Sequence, residues 1–427
     1  MNGICREYTT PVIILDCEKK SQAGIIHTFG RKRIPIIAVS CRRDCPAFHS
    51  RYVTETILSP NLSLDEKKYI DFLCNLKRKG VLIYSADESA VAVSRHRKEL
   101  RSAGFLLNIP ELDTLESVFD KWACYQTADS LSIPMAKSKL VNSTQDIIDI
   151  WDQFQKPVIL KGTRLAGGVH YMINKKDEIE EKYAALCKTI DSDFFRARKS
   201  EIMIQEWMEY GMTDMWSCET VYDKKSQPMG FFSIQRIRSS LNDEGLYTSY
   251  LFAGEHVRSD ELEKTTEKIL NHIGWKGFAH VEYFYVPGEQ KFYLTEINPR
   301  LPGYSYYPSQ AGFDMAYYYY MDLIDEQIDL PQSYPDSVFF SALMHPGDIS
   351  GGIVHIPRGN LKLLPFLQSY LKLLKRKSIK VVDPIRLDDP SFTLFYVINE
   401  IAPFLKKGIH FCKQTIKSFP RFGTIDN

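Results

Sequence analysis

Tyr293-Leu294-Thr295-Glu296-Ile297-Asn298-Pro299-Arg300 is the stretch whose reading decides the fold. It follows an apolar run through Val281-Glu282-Tyr283 and a turn over 286–289. Leu294 and Ile297 are apolar, and Glu296 and Asn298 lie two apart, so on a strand both polar side chains share a face. Glu282, on the strand before the turn, adds a second carboxylate. Two carboxylates and an amide oxygen suit a hard cation such as Mg2+, with Mn2+ as a substitute; Mg2+ keeps some waters and shares its shell with phosphate. Arg300, just past the strand, would clamp a transferring phosphoryl group or an anionic substrate. The bland alternative is an edge hairpin with exposed Glu and Asn, and the rest of the chain decides between the two.

At 427 residues the chain is long enough for two or three subdomains. Its 44% apolar and 25% charged residues are ordinary for a soluble globular protein. A formal net charge of +1 argues against nucleic acid as a partner. The charge is uneven: from Leu361 onward there are 12 Lys and Arg against 5 Asp and Glu. Nine cysteines are scattered, with Cys41 and Cys45 the close pair, and no His or Cys cluster completes a zinc site. Free thiols in a reducing cytosol are the expectation. No signal-peptide pattern opens the chain, and no run approaches the ~20 apolar residues of a membrane span. The nearest, 392–405, is broken by Asn399, Glu400 and Pro403.

Apolar runs at 11–15, 34–39 and 80–84 read as buried strands separated by helices, one of them over 25–30. That alternation implies a parallel α/β layer. No Gly-x-Gly-x-x-Gly follows the first strand, which argues against a Rossmann-type cofactor site. A helix is expected over 114–130, then a strand over 136–140. Residues 157–162 read as a strand ending in Lys161, followed by a loop with Gly167 and Gly168 and a paired strand over 169–173. Glycines let a loop bring backbone N–H groups against phosphate, and a lysine on the strand beneath adds charge. Residues 201–208 alternate and turn into a linker. Alternation puts Arg236 and Arg238 on one face, and His280 sits two before Glu282 on the same strand face. A loosely amphipathic helix over 361–377, interrupted by Pro365, leads a basic tail; it reads as a solvated helix packed on the core, with weak contact to an anionic membrane as the rival.

Leu294 to Arg300, with Glu282 upstream, resembles the metal-binding hairpin of the ATP-grasp superfamily. The likeness runs from about Pro11 to about Pro346 and is nearest to D-aspartate ligase, D-alanine–D-alanine ligase and predicted carboxylate–amine ligases. It implies an α/β N-terminal domain over 1–112, an α+β ATP-grasp subdomain pair over 113–330 with its hinge near 205–209, and a C-terminal extension over 331–427. It implies ATP and Mg2+ as cofactors. The reaction implied joins a carboxylate to an amine through an acyl phosphate, in the cytoplasm, with any membrane contact peripheral. Other ATP-grasp chemistry, carboxylation or phosphotransfer, and a non-catalytic nucleotide-binding adaptor are the alternatives. By the resemblance, Glu282, Glu296 and Asn298 hold metal. Lys121, Lys161, Gly167 and Gly168 hold phosphates; backbone groups of Glu206 and Met208 meet adenine; and Asp214 takes the ribose. Arg300, Arg236 and His280 stand near the reacting groups, and Tyr304, Tyr306 and Tyr307 fall where the family places its acceptor pocket. The segments 50–52 and Asp87-Glu88 match positions typical of the N-terminal domain. The family often has Lys-Pro where this chain has Lys161-Gly162, a departure that changes the strand exit.

Overall fold

The computed structural model describes residues 8–18, 22–165, 170–192, 200–208, 212–241, 247–341, 356, 362–375, 378–383 and 386–398. Its first layer is a parallel four-stranded sheet: β1 (Val12–Ile14), β2 (Ile36–Ser40), β3 (Glu55–Leu58) and β4 (Val81–Ile83), in the order β3-β2-β1-β4. β1, β2 and β4 are buried throughout, as strands covered on both faces must be, and all three were legible as apolar runs. Edge strand β3 alternates between half-buried and exposed residues.

A second sheet is antiparallel: β5 (Ser138–Val141), β6 (Val158–Gly162), β7 (Tyr171–Ile173) and β8 (Ile202–Glu206), in the order β5-β8-β6-β7. It has a core of its own around Ile147, Leu160, Ile173, Leu186 and Ile204.

The third sheet has seven strands in the order β13-β12-β9-β10-β11-β14-β15. They are β9 (Met215–Tyr222), β10 (Pro228–Leu241), β11 (Tyr247–His256), β12 (Gly277–Val286), β13 (Lys291–Asn298), β14 (Ser337–Ser341) and β15 (Ile379–Asp383). Neighbours run antiparallel except β14 and β15. One continuous core joins this sheet to the parallel layer. At Gly277 the two meet backbone to backbone: φ is +71°, and a Cβ there would lie 2.4 Å from the Asn108 carbonyl oxygen. Only glycine satisfies both demands. Asn108 Nδ2 in turn donates to the Tyr222 carbonyl at 2.9 Å.

Three sequence expectations change. The helix over 114–130 is two helices, Leu112–Phe119 and Lys121–Ser130, broken at Asp120. Asp120 leaves the helical region (φ −80°, ψ 107°) and caps the second helix through the backbone N–H groups of Trp122 and Ala123. Pro365 does not interrupt its helix; it lies in the first turn of Leu363–Leu374, where a missing N–H costs nothing. The chain beyond residue 330 supplies β14 and β15 to the large sheet and returns to the N-terminal layer. There Asp388 accepts from His27 Nε2 (2.9 Å) and Tyr52 Oη (2.8 Å), and Asp389 accepts from Ser50 Oγ and from Arg51 N–H at 3.1 Å. The 50–52 segment is thus a docking point for the chain's own C-terminal part. The described cysteines are free, and no helix among the described residues is long and apolar enough to cross a membrane.

Candidate active site

The β12–β13 hairpin lines up its polar residues in rows. Glu282 faces Glu296 and His280 faces Asn298, while β9 extends the rows with Ser217 and Glu219. A bulge makes this work. Glu282 pairs with Glu296 but Tyr283 pairs with Leu294, so Thr295 is the extra residue. Strict alternation would put Leu294 and Glu296 on one face. The bulge instead sends Leu294 into the core opposite Tyr283, at 2% and 1% exposure, and keeps Glu296 beside Glu282. The apolar pair Leu294 and Ile297, three apart in sequence, is the trace this leaves.

The two facing carboxylates differ in what holds them. Glu282 Oε1 accepts from the buried Arg236 guanidinium and from His280 Nε2 at 3.1 Å. Burial works to raise the Glu282 carboxyl, but Arg236 and then His280 hold it well below the usual carboxylate range. Glu296 makes no hydrogen bond or ion pair with the described residues. Burial pushes its carboxyl upward, Lys121 pulls it back, and Glu282 across the ladder pushes with burial. A cation between the pair would remove both penalties, so the donor set fits Mg2+. Among the described residues no three His, Cys, Asp or Glu side chains gather round one point. A cation here would therefore share two carboxylates and the Asn298 amide with oxygens from outside the protein.

His280 is gripped at both nitrogens, with Nδ1 2.9 Å from the Glu219 carboxylate and Nε2 on Glu282. Burial alone would lower its pKa; Glu219 and Glu282 outweigh that and push it up to about 9. The ring is thus an imidazolium at neutral pH with both N–H groups engaged, so in this geometry neither is left to donate to a reacting oxyanion. Tyr304 Oη, expected at an acceptor pocket, is buried and sits 2.9 Å from both Glu219 Oε1 and Ser217 Oγ, supporting the same row. Tyr307 Oη donates to the Ser337 carbonyl at 2.7 Å, and the Arg386 guanidinium lies 3.2 Å from the Tyr306 ring centre. All three tyrosines are held by the chain itself.

Arg300 Nε donates to Asp87 Oδ1 at 2.6 Å, and its Nη2 lies 3.4 Å from Asn298 Oδ1. Burial pulls the guanidinium pKa down, but Asp87 beside it carries it above the usual arginine range. Arg236 and Arg238 do not share a role on one face. The β10–β11 register shifts between them, and Arg238 turns to the Leu363–Leu374 helix. Its Nη1 donates to Ser369 Oγ at 3.0 Å, and its guanidinium lies 3.9 Å from the Phe366 ring centre.

The second sheet brings Lys161, and the helix tied to its strand exit brings Lys121. Lys161 Nζ donates to Gln205 Oε1 at 2.8 Å. Burial brings its pKa down to about 7, with Lys121 adding to the fall and Glu296 opposing it. Lys121 opens its helix, and its Nζ donates to the Leu165 carbonyl at 2.6 Å. Asp120 accepts from Arg164 Nε at 3.0 Å and from Thr163 Oγ1 at 3.3 Å, tying the helix to the strand exit after Lys161. Gly167 and Gly168 lie outside the described residues. At the hinge the Glu206 N–H already donates to the Lys137 carbonyl at 2.9 Å, so the amide half of its expected adenine pairing is taken within the fold. Met208 follows β8, half-buried, and the half-buried Asp214 ends a short turn, Met212–Asp214, leading into β9.

Lys121, Lys161, Glu282, Glu296, Asn298, Arg236, His280 and Arg300 therefore converge, linked by contacts or mutual charge. Glu219, Asp120 and the Asp87–Arg300 pair went unread. For Glu219 the signal is a carboxylate in the middle of an entirely buried strand, which needs a partner.

No family model matches the chain. It is 25% identical over 211 residues to the mitochondrial carbamoyl phosphate synthase arginine-specific large chain of Neurospora crassa, covering 48% of this chain and 17% of that protein. It is 22% identical over 263 residues to the D-aspartate ligase of Enterococcus faecium, covering 60% of each. The chain thus spans less than two thirds of either relative. Among solved structures, N5-carboxyaminoimidazole synthetase from Staphylococcus aureus superposes with a TM-score of 0.60 at 16% identity, over 84% of this chain and 88% of that one. The biotin carboxylase domain of the Hydrogenobacter thermophilus 2-oxoglutarate carboxylase, solved with MgADP, ADP and bicarbonate, gives 0.60 at 13% identity over 78% and 74%. The chain has the ATP-grasp fold of these proteins and resembles ligases of the carboxylate–amine type.

Proposed function

We propose that this chain is an ATP-dependent ligase that joins a carboxylate to an amine and releases ADP and phosphate. The observation that carries this reading is the bulged hairpin, where Glu296 faces Glu282 with no side-chain partner among the described residues, while Lys161 approaches from the second sheet and Lys121 from the helix beside it. Glu282, Glu296 and Asn298 would hold Mg2+, which neutralises phosphate charge when bound. Lys161, Lys121 and the backbone around Gly167 and Gly168 hold the phosphates. The Glu206 carbonyl and the Met208 N–H meet adenine, and Asp214 meets the ribose.

In the first step a carboxylate oxygen attacks the γ-phosphorus and the bond to the β-phosphate oxygen breaks, giving acyl phosphate and ADP. In the second a neutral amine attacks the acyl carbon, phosphate leaves, and the amine proton goes to solvent. Arg300, steadied by Asp87, clamps the transferring group. Arg236 and His280 act by fixing the Glu282 carboxylate, which makes them positioning residues. The protein contributes placement and charge rather than covalent chemistry.

Carboxylation is the second reading, favoured by the carboxylases among the structural neighbours. One experiment separates the two: ADP release from a carboxylate panel with hydroxylamine, in bicarbonate-free buffer. A hydroxamate formed with stoichiometric ADP supports ligation, and ADP release that requires bicarbonate supports carboxylation. A peripheral membrane contact belongs to the same proposal. The Leu363–Leu374 helix leaves Leu363, Leu364, Leu367, Leu371 and Leu374 49–64% exposed beside Lys362, Lys372 and Lys375, a pattern that suits an anionic bilayer. Sedimentation with anionic liposomes at low salt, lost at high salt, is the expected result; equal recovery in every supernatant contradicts it.

A further inference from the structure

The smaller sheet turns one face to its own core and the other to the lysines. Val158, Leu160, Ile202 and Ile204 belong to that core. Alternation puts the residues between and beside them on the opposite face. There Ser138 and Ile159 stand opposite Gln205 on its two flanking strands, and Met203 stands opposite Lys161. Ile159 and Met203 are buried, so Lys161, Gln205 and Ser138 form a polar line over an apolar floor.

The line is a hydrogen-bond relay with one direction. Lys161 Nζ donates to Gln205 Oε1 at 2.8 Å, Gln205 Nε2 donates to Ser138 Oγ at 2.7 Å, and Ser138 Oγ donates to the Ala136 carbonyl at 2.8 Å. The last bond fixes the other two. A hydroxyl has one hydrogen, and Ser138 gives it to Ala136, so its lone pairs must receive an N–H. The amide nitrogen of Gln205 supplies it, which leaves the amide oxygen for Lys161. A carboxylate at position 205 would bring lone pairs against lone pairs at Ser138. The position therefore selects an amide, and Lys161 rests on a neutral acceptor. Burial is the main cause that brings the lysine down to about 7; Lys121 adds to the fall, while Glu296 and Cys124 oppose it.

We infer that Gln205 and Ser138 are positioning residues for Lys161: they aim its nitrogen at the phosphate site on an acceptor that a phosphate oxygen can replace. A carboxylate there would hold a permanent ammonium, and phosphate would have to displace an ion pair. An amide aims the same nitrogen, and the arriving phosphate exchanges a neutral acceptor for a charged, stronger one. The purpose of the relay rests on the nucleotide reading of Lys161; the relay itself does not.

The test has two arms, both on the full chain. In the first, lysines labelled with 13C at Cε are followed by NMR against pH without nucleotide, and the Lys161 signal is identified by its loss in Lys161→Met. Gln205→Glu should raise the Lys161 midpoint by about one pH unit or more, whereas Gln205→Met should not raise it. In the second arm a non-hydrolysable ATP analogue is titrated at pH 8 in buffers of different ionisation enthalpy. Gln205→Met should weaken binding about tenfold, and Ser138→Ala about threefold, with proton uptake retained. Gln205→Glu should weaken binding and lose the uptake, and Ser138→Thr, which keeps the hydroxyl, should bind as the wild type does. In a Lys161→Met background Gln205→Met should add less than about twofold, because it acts through the lysine. An unmoved Lys161 midpoint in Gln205→Glu, or a loss from Gln205→Met that persists in full without Lys161, would overturn the inference. Absence of analogue binding in the wild type overturns the nucleotide reading instead, and the first arm then decides the relay by itself.

Discussion

The two sheets that face each other across the candidate site are built on different terms. In the seven-stranded sheet the polar row is locked: Glu219, His280, Glu282 and Arg236 bind one another across β9, β10 and β12, inside a core shared with the N-terminal layer. Among the described residues of the smaller sheet, Lys161 rests on a single amide oxygen, and a separate core surrounds Ile147, Leu160 and Ile204. A rigid carboxylate side and a lightly held lysine side are what a protein needs if the lysines are to exchange their internal partners for phosphate. Glu296 is the one member of the rigid side left without a partner of its own among the described residues, and the comparison breaks or sharpens there first.

The largest effect is expected at the facing pair. Glu296→Gln should cut ADP release about 1000-fold, by the scale of losing one charge-stabilising group. Because it removes an uncompensated buried carboxylate, its melting temperature should equal or exceed that of the wild type. Glu282→Gln should lose activity to a similar degree but also stability, by about 3 kcal/mol, since Arg236 is left buried without its carboxylate and His280 keeps only Glu219. Denaturant melts of the two variants check the contrast; equal destabilisation would erase the distinction between them.

Lys161→Met should weaken binding of a non-hydrolysable ATP analogue by about 10- to 100-fold, the worth of a charged hydrogen bond. Its pH signature is sharper. Free Lys161, brought down to about 7, is mostly neutral at pH 8. An arriving phosphate raises that pKa, so binding must take up protons between the free and bound values. Titration at pH 8 in buffers of different ionisation enthalpy should show uptake approaching one proton, absent at pH 6 and in Lys161→Met. Proton release, or no exchange at pH 8, would place the lysine elsewhere.

The smallest effect is expected at Arg238. Arg238→Ala should cost about 1–2 kcal/mol through the lost contacts to Phe366 and Ser369 and leave ADP release within about twofold. A large loss of turnover would restore Arg238 to the site beside Arg236.

The sequence was most legible where its pattern is dense. The apolar runs of β1, β2 and β4 and Lys161 near its strand end follow from local composition, whereas the metal role of the Glu282–Glu296 hairpin comes only from its resemblance to a family motif. What stayed hidden depends on pairings or breaks that no period reveals. Asp120 ends one helix and caps the next, so a uniform helical pattern runs through it. The bulge at Thr295 and the register shift between Arg236 and Arg238 each redirect side chains that alternation alone would misplace. Glu219 meets His280 across sixty-one residues, and β14 pairs with β11 across a wider gap, Gly254 opposite Phe339. The departure at Lys161-Gly162 is local: the strand still ends at Gly162, and a Cβ there would strike Ser200 Oγ at 2.6 Å.

The most direct test of the central claim uses Mn2+ as a spectroscopic stand-in for Mg2+. Electron paramagnetic resonance of Mn2+ with a non-hydrolysable ATP analogue should show metal bound in the wild type, and that signal should revert to free Mn2+ in Glu296→Gln while the folded fraction is unchanged. Identical bound-metal spectra in wild type and variant would contradict the assignment of this hairpin as the site that brings metal and phosphate together.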